Sequence, residues 1–247
     1  MNNEKMTKVK WICSAAVVMA LVSSCSTTRS ISDTAYAPSP VNARNCFPPH
    51  PQTRELSEFD VLGIEPNQSI SEEEIVRASA RAQRVALTRG NSILLVQSGA
   101  QYPDGPMISD LEKSFRVVPF TGVATQTGES YSKVLRLAAA KAGADHVVCY
   151  WGILESASEG AATKTISWVP VVNWVIPDEK QHMRIRVKMA VVDVLTGSWT
   201  VFSPEPVESQ AWSTSPRREV VDQKQVEKLK AKAYEASARG LLSQAVD

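Results

Sequence analysis

Histidine, cysteine and long apolar runs are the scarce features of this chain. Only three histidines occur in 247 residues: His50, His146 and His182. None belongs to an H-E-x-x-H motif or an i, i+4 pair, the spacing that sets two imidazoles on one helix face for zinc. His146 and Cys149 stand three apart in a stretch read below as a strand, so they project to opposite faces and cannot share a metal. A P-loop, a G-x-G-x-x-G turn, a G-x-S-x-G nucleophile elbow and a calcium loop are all missing. The formal net charge is +1, without the basic excess that marks a nucleic-acid binder. No metal, no cofactor and no nucleic acid partner is expected.

The one apolar run near the start, WICSAAVVMALV over residues 11–22, falls short of the roughly 18–20 residues a membrane-spanning helix needs. It follows Lys5, Lys8 and Lys10, and small residues close it. A basic head, a short apolar middle and a small-residue end make a secretory signal peptide. The end reads Val22-Ser23-Ser24-Cys25, the aliphatic-small-small-cysteine order of a bacterial lipobox. Among side chains only a thiol can be alkylated by a diacylglycerol, and small neighbours let the backbone enter the peptidase. Residues 1–24 are therefore read as the signal and Cys25 as the lipidated first residue of the mature chain. Acyl chains contributing about 0.8 kcal/mol per buried CH₂ would then anchor it to a membrane. An ordinary cleaved signal with a chance cysteine is the alternative. Ser26, rather than Asp, follows the cysteine, which in the lipoprotein sorting pattern implies the outer membrane with the domain facing the periplasm.

Cleavage removes three lysines and one glutamate, leaving a mature net charge near −1. It also removes Cys13, so Cys46 and Cys149 remain. An oxidising periplasm allows them to pair. Cys46, however, lies in a proline-rich stretch and Cys149 in an apolar one, so the pair needs the former to pack back on the domain; two separate thiols are the other possibility.

Residues 25–55 are rich in Ser, Thr and Pro without apolar period, and read as a linker that lifts a single domain, residues 56–247, off the membrane. Within the domain, Ser69 with Glu72 or Ser71 with Glu74 offers a capping box. A helix follows, with Ile75, Ala78, Ala82, Val85 and Ala86 inward and Gly90 as its stop. SILLVQ over residues 92–97 is a buried strand, Pro106 opens a short helix over residues 107–114, and residues 115–120 return as a strand. Ser130 caps a helix over residues 131–142, with Val134, Leu135, Ala138 and Ala142 inward. Residues 145–154 form the next buried strand.

From Met183 to Val191 apolar and basic residues alternate, placing Arg184, Arg186 and Lys188 on one wet sheet face. A turn at residues 195–198 leads to a strand over residues 199–206, and a last helix runs over residues 217–242. The pattern predicts an α/β fold leaning to α+β: one mixed sheet flanked by helices.

Candidate chemistry is sparse. Ser130-x-x-Lys133 matches the nucleophile motif of penicillin-recognising enzymes, but the companion motifs are absent and helix capping explains the serine. Asp104, Asp110 and Asp193 sit at turns and helix starts, where aspartate is favoured anyway. A periplasmic hydrolase would need at least two of Asp104, Asp110, Ser130, His146 and Asp193 in one cleft. The most unusual stretch is ISWVPVVNWVIP, residues 166–177. It is either an apolar edge flap over the core or an exposed patch for a membrane or protein partner, with Trp168, Pro170, Trp174 and Pro177 as its candidates.

The lipobox, GADHVVCYWG, the apolar stretch with its Pro177–Lys180 turn, VVDVLTGSW and the closing helix together resemble the rhombotarget-type lipoproteins. The element order is also similar to the periplasmic α/β domain of the curli-secretion lipoprotein and to the amino-terminal domain of the Tol-system translocation protein. The resemblance implies a membrane-anchored, non-enzymatic binding or assembly module with an envelope protein partner, and it brings no catalytic residues.

Overall fold

The run SILLVQ has no wet face, because every residue from Ser92 to Gln97 is buried, as in any strand sandwiched between two helical layers. The computed structural model describes residues 26–33, 55–65, 69–123, 130–160, 179–213 and 218–245. Its strands are Ser26–Ser30 (β1), Ser92–Gln97 (β2), Arg116–Phe120 (β3), His146–Gly160 (β4), Glu179–Asp193 (β5), Trp199–Phe202 (β6) and Val207–Ser213 (β7). Its α-helices are Glu58–Leu62 (α1), Glu72–Arg81 (α2), Gly105–Leu111 (α3), Tyr131–Lys141 (α4) and Arg218–Ser243 (α5). All seven strands join one mixed sheet flanked by helices, the α/β arrangement expected from the alternation of elements.

β4 and β5 are each 15 residues long and antiparallel throughout, from His146 opposite Asp193 to Gly160 opposite Glu179. Around this pair the sheet has two storeys. In the lower one the order is β3-β2-β4-β5-β6, with β2 parallel to both β3 and β4. In the upper storey β2 and β6 have ended, and β1 and β7 take their places beside β4 and β5.

The two faces are covered unequally. On one, α5 brings Val226, Leu229, Ala233 and Leu241 against Leu154, Ile185 and Val187 of the upper storey and Val148, Met189 and Val191 of the lower. On the other, α1 and α4 cover only the lower storey, over Leu94, Val96, Val147, Cys149, Ala190 and Val192. Above Trp151 no described helix lies on that face. The alternation of Met183–Val191 follows: one side is buried along its whole length, while Arg184, Arg186 and Lys188 face outward.

Several expectations change. The capping box is Ser71 with Glu74, but α2 ends at Arg81 rather than near Gly90, and Ile75 and Val76 are exposed. A stripe made chiefly of alanines offers too little apolar area to hold a helix on the sheet, and Leu87 enters the core from irregular backbone instead. α4 buries Ser132, Leu135 and Ala139, so its inward face is rotated from the one expected. Pro204 and Pro206 fall between β6 and β7, so the strand expected over residues 199–206 ends at Phe202, and a further strand, β7, begins at Val207 on the other storey.

The largest correction concerns the linker. Ser26–Ser30 pairs with β4, Ser26 opposite Ala157 and Ser30 opposite Ile153. A 3₁₀ turn over Ile31–Asp33 follows, and Ile31, 1% exposed, fills the space over Gly152. A Cβ on Gly152 would lie 2.4 Å from Ile31 Cδ1, so only glycine leaves room for this plug. Ser32 Oγ donates to the Ser98 carbonyl at 2.6 Å, and Leu56 N–H donates to Ser98 Oγ at 2.8 Å. The polar sequence hid this strand because an edge strand is held by its ladder and needs one apolar anchor rather than a period. Residues 34–54, with Cys46 among them, lie outside the described residues. Replacing Ile31 by Ala is expected to lower the unfolding free energy by about 2–4 kcal/mol, read from urea denaturation, because it empties a core site. A residue in a free linker would leave the denaturation midpoint unchanged.

Candidate functional site

Of the five groups considered for catalysis, Asp104, Asp110 and Ser130 are dispersed among different partners, while His146 and Asp193 lie near each other. Asp104 precedes α3 but makes no side-chain cap; its carboxylate instead accepts hydrogen bonds from Lys230 Nζ at 3.0 Å and from the Tyr234 hydroxyl. Asp104 N–H donates to Gln97 Oε1 at 2.8 Å, and the Tyr150 hydroxyl donates to the same oxygen at 2.6 Å. Gln97 Nε2 then donates to Ser32 Oγ at 3.1 Å. The rings of Tyr150 and Tyr234 meet edge to face, 5.9 Å apart. This polar net ties the end of β2, the turn after β1, the start of α3 and the middle of α5 into one unit.

Lys230 is completely buried. Burial pushes its pKa down and the Asp104 charge opposes that shift, so the ammonium depends on its carboxylate. The arrangement is a structural clamp: a buried ammonium held against a carboxylate across the fold. Asp104→Ala is expected to cost about 3–5 kcal/mol of stability in urea denaturation. The double variant Asp104→Leu with Lys230→Met should recover much of it, since removing both charges removes the penalty.

The other candidates are simpler. Asp110 bonds Lys113 Nζ at 2.6 Å on the surface. Ser130 precedes α4, yet its hydroxyl makes no cap hydrogen bond, which corrects the capping role expected for it; its carbonyl accepts from Lys133 N–H at 3.0 Å and Val134 N–H at 3.3 Å. His146 and Asp193 do approach, with Nε2 to Oδ2 at 3.9 Å. His146 is 3% exposed, and among the described residues neither ring nitrogen has a hydrogen-bond partner. Asp193 Oδ1 accepts from Leu195 N–H at 3.0 Å, Thr196 N–H at 2.7 Å and Thr196 Oγ1 at 2.9 Å, which shapes the β5–β6 turn. Burial raises the Asp193 pKa, and these bonds outweigh it, so the carboxylate stays easily ionised.

Burial likewise pushes His146 below its ordinary value near 6.5, against the pull of Asp193 and Asp145. The unfolded chain therefore takes up a proton at acidic pH where the folded one resists it. This histidine's contribution is complete above about pH 6.5 and is lost as pH falls further. Urea denaturation between pH 7.5 and 5 should show a shallower loss of stability on acidification for His146→Gln than for the parent.

Two open hollows lie elsewhere, and none of these five residues lines either. One, of about 620 Å³, has a floor of Trp151, Gly152, Ile153 and Val187 and a wall of Pro204 and Pro206. The other, of about 450 Å³, lies at the upper end of the sheet, among Thr28, Ala157, His182, Arg184 and Gln210. Between them runs the uncovered face. Ile153 is 44% exposed there, and the basic side chains are each engaged. Arg184 Nε reaches Glu155 at 2.5 Å, Arg186 Nε reaches the same carboxylate at 3.2 Å, and Lys188 reaches Glu58 at 2.6 Å. Hydrogen bonding from Arg184 holds the Glu155 carboxyl below its ordinary pKa. The face is thus electrically balanced, with an apolar centre.

Cys149 carries a free thiol buried beneath α4, and burial raises its pKa well above the ordinary thiol value. Cys25 and Cys46 lie outside the described residues, as do Trp168, Pro170, Trp174 and Pro177. The flanks of the apolar stretch are described: Gly160 and Glu179 face one another at the upper end of β4 and β5. Among the described residues no group of three His, Cys, Asp or Glu could hold a metal ion, and no helix is long and apolar enough to cross a membrane. Sequence reasoning missed Lys230, Tyr234 and Tyr150. The available signal was a lysine on the apolar stripe of the last helix, between Val226, Leu229 and Ala233.

No curated protein matches the chain. Two PelC dodecamer structures from Paraburkholderia phytofirmans resemble it, at 15% and 16% identity and TM-scores of 0.27 and 0.28; each match covers 63% of this chain and 93% of the other. The rhombotarget-type, curli-secretion and Tol-system likenesses gain no support from these comparisons. A family model described as YafT bacterial lipoprotein matches residues 57–244, from α1 through α5. The chain belongs to the YafT bacterial lipoprotein family.

Proposed function

We propose that this lipoprotein is a non-enzymatic binding or assembly module of the cell envelope, anchored by lipid at Cys25 to the outer membrane and facing the periplasm. The observation that carries the reading is the uncovered face of the upper storey. An apolar floor at Trp151 and Ile153 opens into a hollow of about 620 Å³, and the two cations on its rim, Arg186 and Lys188, are paired with Glu155 and Glu58. Exposed apolar surface with a polar rim is the composition of a protein contact. Paired rim charges steer a partner without demanding an ionic one. The dispersal of Asp104, Asp110 and Ser130, and the commitment of Asp193 to a turn beside a buried His146, weigh against the alternative of a hydrolase. Trp168, Pro170, Trp174 and Pro177 form a second contact in this reading, facing a membrane or a partner; the flanks of their stretch, Gly160 and Glu179, sit at the upper end of the sheet.

A photoreactive residue placed at Ile153 in living cells should give a discrete adduct with an envelope protein, and one at Arg239 on the far side of α5 should not. Equal labelling from both positions would count against the open face. Replacing Trp168 and Trp174 by Ala in a delipidated protein should reduce its retention on membranes or partner resin. Unchanged retention with lost stability would instead make the stretch a cover for the core. Cys25→Ser should move the protein from the outer-membrane fraction to the soluble periplasm.

A further inference from the structure

The connection between anchor and domain has almost no length. Ser26, the residue after Cys25, is already opposite Ala157 in the β1–β4 ladder. One peptide step is about 3.8 Å, so an acylated Cys25 cannot stand more than a few ångströms from the sheet. Beyond the Ser26–Ala157 pair, β4 continues three residues to Gly160 and β5 starts opposite it at Glu179, a further reach of about 10 Å at strand rise. Ile31 wedged over Gly152, with Ser32 bonded to Ser98, prevents β1 from sliding to supply slack.

We infer that the upper end of the sheet rests directly on the bilayer, so that the lipid orients the domain as well as retaining it. The occupant of this end is a lipid surface. The inference depends on lipidation at Cys25, and it replaces the expected linker with a rigid seat. Side chains of the hollow just inside this end suit a headgroup layer. Thr27, Thr28, Ser156, Ala157, His182, Ser209 and Gln210 line the hollow there with small or uncharged polar groups. The charges one step inward, Glu155, Arg184 and Glu208, are paired with each other at 2.5 and 3.6 Å. The opposite end, the β5–β6 turn with Leu195 89% exposed, then points away from the membrane. The run of β5 from His182 to Asp193 separates the two ends by about 36 Å.

Depth-dependent quenching tests this on the full lipidated protein with Cys46→Ser, reconstituted in phosphatidylethanolamine–phosphatidylglycerol vesicles carrying nitroxide-labelled lipid. A fluorophore is attached at Ala157→Cys, at Gln210→Cys or at Leu195→Cys, and mass spectrometry first establishes that Cys25 carries lipid. Probes at 157 and 210 should be quenched several-fold more than the probe at 195. Equal quenching at the three positions, or none at 157 and 210 with the lipid present, overturns the seat. An unmodified Cys25 overturns the anchoring reading instead. The two upper positions lie on different strands, so misfolding of one variant leaves the other informative. A ten-residue Gly/Ser insertion between Cys25 and Ser26 should bring quenching at 157 down to the level at 195. Quenching that survives the insertion unchanged would overturn the role of the short connection.

Discussion

The continuous antiparallel pairing of β4 with β5 is the constraint on which the rest of the structure hangs. Its register places His146 opposite Asp193 at one end and Gly160 opposite Glu179 at the other. Every other strand except β3 attaches to one of these two. Because side chains alternate along a strand, a slip of one residue would turn Arg184, Arg186 and Lys188 inward and Ile185, Val187 and Met189 outward. The two storeys share a single register, so the buried floor beneath α5 and the open face above Trp151 are set by the same pairing.

Much of this was legible because burial leaves patterns. SILLVQ announced a strand covered on both faces, and the Met183–Val191 alternation announced one covered on a single face. The closing helix was readable from Val226, Leu229 and Ala233. What stayed hidden was held by other means. β1 has no apolar period, since a ladder and one isoleucine plug keep it in place. The second helix was overread because alanine satisfies a helical period without supplying the area that would hold it down. The Asp104–Lys230–Tyr234 clamp joins residues 126 and 130 positions apart, and charge compensation at that separation writes no local motif.

The candidate site was legible in a similarly uneven way. The wet face of β5 was identified, but its partners Glu155, Glu58 and Glu208 come from three other elements, so its electrical balance appears only in three dimensions. The lipoprotein class, by contrast, was legible in four adjacent residues, Val22 to Cys25, because a lipobox is a linear pattern that needs no fold to be read. Short linear signals are read on an extended chain and remain visible in it, whereas sites assembled from several strands do not.

The plug of Ile31 over Gly152 has a mechanical consequence. β1 runs antiparallel to β4 with Ser26 at its outer end, so with the lipid on Cys25 proposed above, a pull between the membrane and anything held by the domain acts along the strand axis. Such a load falls on all five cross-strand pairs of β1 together, in shear, and then on the wedged side chain behind them. It cannot open the ladder one bond at a time. The attachment is thus arranged like a lap joint with a stop at its inner end, a form suited to transmitting tension rather than yielding to it.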